Sequence, residues 1–401
     1  MKNVLEEFVC DSNEAIELKL VRNEADVFDE EKGFHPEFSH QIFGQNENIF
    51  GYKGLKVQLY FTAGRLVPYL NMTCASKVNS KLFDGVQSDN VLKLIVDKLE
   101  ITPLDNRDKF LAALGDDAGF QPAGDLLHAY SVERNGPARH FEIYTNDVTA
   151  PGFREYHDRL QTFLWWYIDA ASYIDKDDEK WTYYTLFEKY SVDGQKRYAV
   201  AGYATVYRYY AYPDRIRPRI SQVLVLPPFQ RQGHGVQLLD TMYRHFRNDL
   251  KVLDITVEDP SEDFVRLRDF LDCKNCMKLP VFEPSTLCEG FTKEMNKQAQ
   301  EKLKLCKKQV RRVYEILRLQ ATDPRNTEEM KAYRLDVKKR LNIPFQKQKS
   351  DQEKIRNSLK PEEMAAMMQG TSLQERQETL ENWYQELLTD YRRVLDRLAM
   401  E

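Results

Sequence analysis

Residues 223–240, VLVLPPFQRQGHGVQLLD, constrain the fold more than any other stretch of the chain. A run of branched aliphatics ends in two prolines, and apolar residues then return at helical spacing at Leu239, Met242, Tyr243 and Phe246. A buried strand therefore becomes a helix through a loop carrying Gly233 and Gly235. The mouth of a helix presents N–H groups without intrahelical partners and the positive end of its dipole. Glycines there remove the Cβ atoms that would keep a phosphate at a distance. Two glycines alone are more often a plain tight turn. The stretch is neither a GxGxxG dinucleotide fingerprint nor a P-loop, because no Lys-Ser or Lys-Thr follows it.

The surroundings set the fold class. LLHAYSV and HFEIYTN, with Asn135-Gly136 between them, predict a hairpin, and FREYHDRLQTFLWWYIDAASYI predicts one long amphipathic helix. WTYYTLFEKY and RYAVAGYATVYRYY, joined through Asp193-Gly194, predict a second hairpin; RISQVLVL leads into the glycine loop, and KVLDITVEDP reads as one more strand. Ser261 is placed to cap a helix with Glu262 and Asp263 in its first turn. A meander followed by one βαβ crossover is an α+β, mixed-sheet pattern. Upstream, the alternation of Leu55, Val57, Leu59 and Phe61 predicts a half-buried strand, DNVLKLIVDKLE and RDKFLAALG predict short helices, and GDDAGFQPAGD reads as a linker. Downstream of about 293 the chain is helix-forming, and Leu373, Leu380, Tyr384, Leu387, Tyr391, Val394 and Leu398 repeat every 3.5 residues, as in a coiled-coil arm or a docked helix. The expected divisions are 1–118, 119–292 and 293–401.

Composition narrows the function. A net charge of −5 argues against a general nucleic-acid binder, whose footprint is basic. Six scattered cysteines form no disulfide framework, and MKNVLEEFVC does not read as a secretory leader, so reduced thiols and an intracellular setting are expected. No stretch reaches the roughly 18 apolar residues of a membrane helix. Cys273 and Cys276 have half the spacing of a zinc site but no second pair at a suitable distance, so no metal is expected. The basic run KKRLNIPFQKQK reads first as a solvated helical segment.

Glu258-Asp259-Pro260 closes the strand after the glycine-loop helix. Carboxylates at a strand end can serve as a general base, although an isolated EDP is usually an ordinary acidic turn. Residues 165–212 interleave Trp165, Trp166, Trp181 and many tyrosines with Asp175, Asp177, Asp178 and Glu179. Aromatic faces and acids suit a cationic peptide, though most of these rings are expected in the core.

Gln230, Gly233 and Gly235 after an apolar strand resemble motif A of the GCN5-related N-acetyltransferases (GNAT). RLQTF, FGYKGLK, PPFQRQGHGVQLL, VLDITVEDPS and RRVYEILRL together resemble the catalytic subunits of type B histone acetyltransferases, from about residue 14 into the C-terminal helices. The resemblance implies a mixed-sheet GNAT core at 119–292, an N-terminal α/β histone-recognition domain at 1–118 and a C-terminal helical region. It implies that Val223, Leu224 and Val225 pair with the pantetheine arm of acetyl-coenzyme A, and that Gln230, Arg231, Gln232, Gly233, His234, Gly235 and Val236 hold its pyrophosphate. His234 is expected to have a structural part. Glu258 matches the family's general base, with Asp259 beside it; Asp169 stands where relatives usually carry Glu. Gln45, Asn46, Glu47, Trp181, Tyr207, Arg208 and Tyr209 match positions lining the groove for the histone tail. The implied activity is direct transfer of acetyl to lysines of newly made histone four, with a WD-repeat histone chaperone as partner and a life shared between nucleus and cytoplasm. Neither nucleic acid nor membrane is implied as a partner. A binding-only histone escort, or an acetyltransferase for another protein or a small amine, are the rival readings.

Overall fold

The computed structural model describes residues 5–79, 81, 85–134, 136–356 and 373–400. The chain divides into two units, one formed by Met1–Tyr210 with Pro218–His245, the other by Ala211–Arg217 with Phe246–Glu401.

In the first unit, strands β1 (Ile16–Val21) and β2 (Lys56–Thr62) pair in parallel, and β3 (Pro68–Thr73) adds antiparallel to β2. The expected half-buried strand is buried on both faces. Tyr60 packs with Val21, Val27 and Tyr69 beneath Phe110 and Leu114. Of the two expected helices, α1 (Val91–Leu99) and α2 (Arg107–Asp117), the second supplies that cover. Asp117 closes α2 and accepts hydrogen bonds from Thr62 Oγ1 and the amides of Gly64 and Arg65. Three residues on, Phe120 stacks on Tyr156 with centroids 5.4 Å apart. The segment read as a linker is thus pinned within the unit.

The larger sheet is the expected meander: β4 (Asp125–Val132), β5 (Arg139–Asn146), β6 (Trp181–Val192), β7 (Gln195–Ala211) and β8 (Arg215–Val225) lie side by side in chain order. Asp193 and Gly194 join β6 to β7 with both residues left-handed, at φ of 50° and 77°, as a two-residue hairpin turn requires. Asn135, expected in the β4–β5 turn, lies outside the described residues.

The long helix is broken. Helix α3 (Phe153–Leu160) passes into a 3₁₀ turn at Gln161–Phe163, a single helical turn at Leu164–Tyr167, and extended backbone at Ile168. Thr162, Phe163, Trp165, Trp166, Tyr167 and Ile168 are poor helix formers, and residues 160–167 are buried on every side rather than along a stripe. Asp169 therefore sits beyond the helix, on an exposed turn.

Helix α4 (His234–Arg247) follows the glycine loop and buries Leu239, Met242, Tyr243 and Phe246 as its spacing predicts. In the second unit the strand expected over 251–260 shrinks to β9 (Thr256–Val257). Its neighbours make only single bridges, Val252 to Ile216 and Ile255 to Leu305, while Asp254 is engaged by Arg217. Helix α5 (Glu262–Cys276) is capped by Ser261, as expected, and buries both Cys273 and Cys276.

Helices α6 (Lys293–Leu303), α7 (Lys307–Ala321), α8 (Thr327–Leu341), α9 (Ile343–Arg356) and α10 (Leu373–Ala399) complete this unit. Helix α10 is docked, burying Tyr384, Leu388, Tyr391 and Val394. The fully buried Glu315 of α7 accepts from Arg311, from both ends of the Arg340 fork and from the Tyr391 hydroxyl. Lys338 binds Glu381, so part of the basic run is bundle structure rather than a solvated face. Among the described residues no helix is long and apolar enough to cross a membrane, and no cluster of His, Cys, Asp or Glu could hold a metal.

His157, on α3, is 2% exposed, and neither ring nitrogen has a hydrogen-bond partner. Burial pushes its imidazole down to about 4, with nearby charges secondary. A histidine held below its unfolded value near 6.5 is neutral when folded, so stability is complete above pH 6.5 and falls as pH drops toward 4. Urea unfolding should show a loss approaching about 3 kcal/mol over that window. His157→Phe should flatten this pH dependence; an unchanged slope would show that His157 does not cause it.

Candidate active site

The strand feeding the glycine loop is shaped by its neighbour β7. Leu226 N donates to Ala201 O at 2.9 Å. A Cβ on Gly202 would lie 2.4 Å from Leu224 O and 3.1 Å from Val225 Cα, so only glycine permits this approach. The register of β6 on β7 shifts at the same place, between Leu186 and Phe187, as a bulge does. Leu224 points inward, while Val223 and Val225 are half-buried on the opposite side of β8.

The motif residues then close the turn. Gln230 Nε2 donates to Val225 O at 2.9 Å, and Gln232 Nε2 donates to Pro228 O at 3.1 Å. Arg231 and Gly233 are left-handed, at φ of 58° and 88°. Nothing lies within 4 Å of the space a Gly233 Cβ would take. The first helical hydrogen bonds run from Val236 N and Gln237 N to Gly233 O, so the amides of His234 and Gly235 stand ahead of the ladder. The His234 ring turns inward. Its Nδ1 lies 2.7 Å from the Tyr130 hydroxyl, its ring packs on Phe141 at 4.1 Å, and burial, with the Arg139 charge, pushes it down to about 4. It is a neutral buttress.

The acids belong to different units. Glu258 and Asp259 follow β9 in the second unit, both exposed, with Asp259 left-handed at φ 28°. In the first unit, Asp169 Oδ1 lies 3.2 Å from His40 Nε2, and Glu47 Oε1 lies 3.6 Å from His40 Nδ1. One imidazole thus stands between two carboxylates assigned to different tasks. Glu47 also accepts from the amides of Ser39 (2.6 Å) and His40 (2.9 Å) and from Asn13 Nδ2 (2.8 Å). The Ser39 hydrogen bond, with those of Asn13 and His40, holds its carboxyl below the usual range despite partial burial. Glu47 is therefore an anchor of its own loop, with Gln45 and Asn46 exposed beside it. His40 was missed in the sequence, where it stands among ordinary loop residues.

Trp181 and Tyr207 are cross-strand partners with rings 4.9 Å apart, and Tyr209 continues the row 4.6 Å from Tyr207. Asp178 accepts from the Tyr207 hydroxyl at 2.8 Å, and Arg219 lies 5.3 Å over Tyr209. Arg208 reaches back to the Lys180 carbonyl. Trp165, Trp166, Tyr183, Tyr184 and Tyr203 are core. The aromatic section thus divides into an interior majority and a partly exposed ledge.

Three family descriptions match the chain: "Histone acetyl transferase HAT1 N-terminus" over residues 8–169, "Acetyltransferase (GNAT) family" over 141–267, and "Histone acetyltransferase type B catalytic subunit, C-terminal" over 268–319. The Rattus norvegicus histone acetyltransferase type B catalytic subunit is 49% identical over 399 residues, covering 99% of this chain and 95% of that one. The Homo sapiens protein of the same name is 48% identical with the same coverage. This chain belongs to the type B histone acetyltransferase catalytic subunit family. A Dictyostelium discoideum member is 33% identical over 358 residues, covering 82% of this chain and 75% of that one.

As a type B enzyme with a GNAT domain, the chain is an acetyltransferase that uses acetyl-coenzyme A. Its loop fits that co-substrate's anionic portion. The open space at Gly233 and the amides of a helix mouth suit a phosphate. Because nothing crowds the Gly233 Cβ position, replacing it acts through backbone strain and through filling the space in front of the loop. Gly233→Asn should be tolerated best, Gly233→Ala should lose roughly 1–2 kcal/mol of acetyl-coenzyme A binding, and Gly233→Val more. Isothermal titration of the folded variants checks the order; a valine variant that binds as tightly as the parent contradicts it.

Proposed function

We propose that this acetyltransferase acts on tail lysines of newly synthesised, soluble histone four before chromatin assembly. The observation that carries the reading is the partly exposed row Trp181, Tyr207 and Tyr209 beside Asp178, on the same sheet that leads into the glycine loop. A Gly-, Lys- and Arg-rich tail is extended and cationic, and ring faces and carboxylates attract it. In this reading residues 1–118 contribute to tail recognition through Gln45, Asn46 and Glu47. Residues 119–292 carry the transfer chemistry, and 293–401 form the helical region. A WD-repeat histone chaperone of the retinoblastoma-binding type is the proposed partner, and nucleus and cytoplasm the proposed compartments. Family membership supports both.

When bound, acetyl-coenzyme A supplies an acetyl thioester. The loop Gln230 through Val236 would hold its pyrophosphate, with the His234 and Gly235 amides at the helix mouth as donors, and the backbone of Val223 through Val225 would pair with its arm. A lysine amine is protonated at neutral pH and must lose a proton before it attacks. Glu258 would take that proton, with Asp259 as the second acid, freeing the amine for direct attack; the new C–N bond replaces the thioester C–S bond, and coenzyme A leaves as the thiol once its sulfur is protonated. Asp169 is an auxiliary acid that His40 orients. The six cysteines are not used as nucleophiles.

Glu258→Gln should lower kcat by about 10²–10⁴-fold while leaving acetyl-coenzyme A affinity nearly intact. Steady-state kinetics at neutral pH with a histone four tail peptide, alongside calorimetry, measures both. Full turnover by the variant would remove Glu258 from the role. Spermidine outcompeting the peptide would instead favour a small-amine acceptor.

A further inference from the structure

Two arginines of the β4–β5 hairpin hold the glycine loop from outside its motif. Arg134 Nη1 donates to Arg231 O at 2.7 Å, and Arg139 Nη1 donates to Gln232 Oε1 at 3.1 Å. Arg139 also lies over the rings of Phe141 and Phe229, at 5.3 and 5.4 Å. Phe229 directly precedes Gln230, so this one guanidinium touches the loop on both sides of its first residue.

The remaining face of the Arg139 fork is taken by Glu188 of β6. Nε donates to Oε1 at 2.8 Å and Nη2 to Oε2 at 2.9 Å, a bidentate pair. Glu188 is 4% exposed and also accepts from Arg22 Nη2, just past β1. Burial pushes the Glu188 carboxyl up, but Arg139 and Arg22 together more than offset it and hold it below the usual carboxylate range. Arg22 is fixed in turn, its guanidinium 4.7 Å over the Tyr190 ring and its amide donating to Asp26 at 2.9 Å. The result is a connected line from the N-terminal sheet to the loop: Arg22, Glu188, Arg139, Gln232. Only the Glu188 carboxylate is buried, the two guanidiniums being partly exposed; such a pairing adds little net stability, but removing a cation from a buried carboxylate is costly. A fork held on three sides fixes orientation more than it adds energy.

We propose that Arg139 and Glu188 are positioning residues for acetyl-coenzyme A, setting the glycine loop through Gln232, and that Arg22 ties this setting to the N-terminal sheet. The proposal rests on the reading of residues 230–236 as the pyrophosphate site. The test compares Glu188→Gln and Arg139→Lys with Gly233→Val in the full-length chain, each checked for folding by circular dichroism and thermal melting. For the first two, Kd and KM for acetyl-coenzyme A should rise tenfold or more, up to roughly 100-fold. Activity should recover at saturating acetyl-coenzyme A, and KM for the histone peptide should stay unchanged. Arg139→Lys keeps the charge but loses the fork, so its failure to rescue is part of the expected result. Unchanged acetyl-coenzyme A affinity in both, with a loss in Gly233→Val, overturns the proposal. A matching loss in peptide KM and kcat also overturns it, by showing general disruption. Unchanged affinity in all three overturns the reading of the loop itself and the proposal with it.

Discussion

The site depends on how a strand ends. Between Val225 and His234 the backbone must stop pairing, turn left-handed twice, and begin a helix without burying an unpaired polar group. It does so with local means: Gln230 covers the Val225 carbonyl, Gln232 covers that of Pro228, and Gly233 supplies the second left-handed residue. The His234 ring turns into the core, and the helix mouth then faces outward with amides that the helix itself cannot use. The neighbouring strand enforces the same geometry through Gly202, whose missing side chain lets the Leu224 carbonyl close in.

Much of this was legible in the sequence because it is local. The strand-to-helix switch at 223–240, the Asp193-Gly194 turn and the Ser261 cap each depend on residues within a few positions of one another, and all appear where their chemistry places them. The long helix failed because periodicity at Tyr156, Leu160, Phe163 and Tyr167 is equally consistent with a fully buried, irregular segment, and the intervening aromatics fill the core from all sides. The strand over 251–260 failed similarly: apolar alternation signals burial, but the partners at Ile216 and Leu305 supply only isolated bridges.

Pairings between distant residues left no local signal. Arg22, Arg139 and Glu188 come from three separate strands or strand ends, and only folding brings them onto one carboxylate. His40, set between Asp169 and Glu47, is invisible for the same reason. Glu47 has a second commitment that its sequence position does not reveal: its oxygens accept from the amides of Ser39 and His40 and the side chain of Asn13. An ionised carboxylate so anchored keeps its charge and acts on a cationic tail through longer-range attraction.

Binding of the anionic part of acetyl-coenzyme A by the amides at the mouth of α4, as proposed, has a direct readout. Amide hydrogen exchange followed by mass spectrometry, with and without acetyl-coenzyme A, reads this directly. Slowed exchange concentrated in residues 223–237 is expected, with sodium acetate giving none. Full binding by calorimetry without protection of that segment would show that the co-substrate binds elsewhere, not at the mouth of α4.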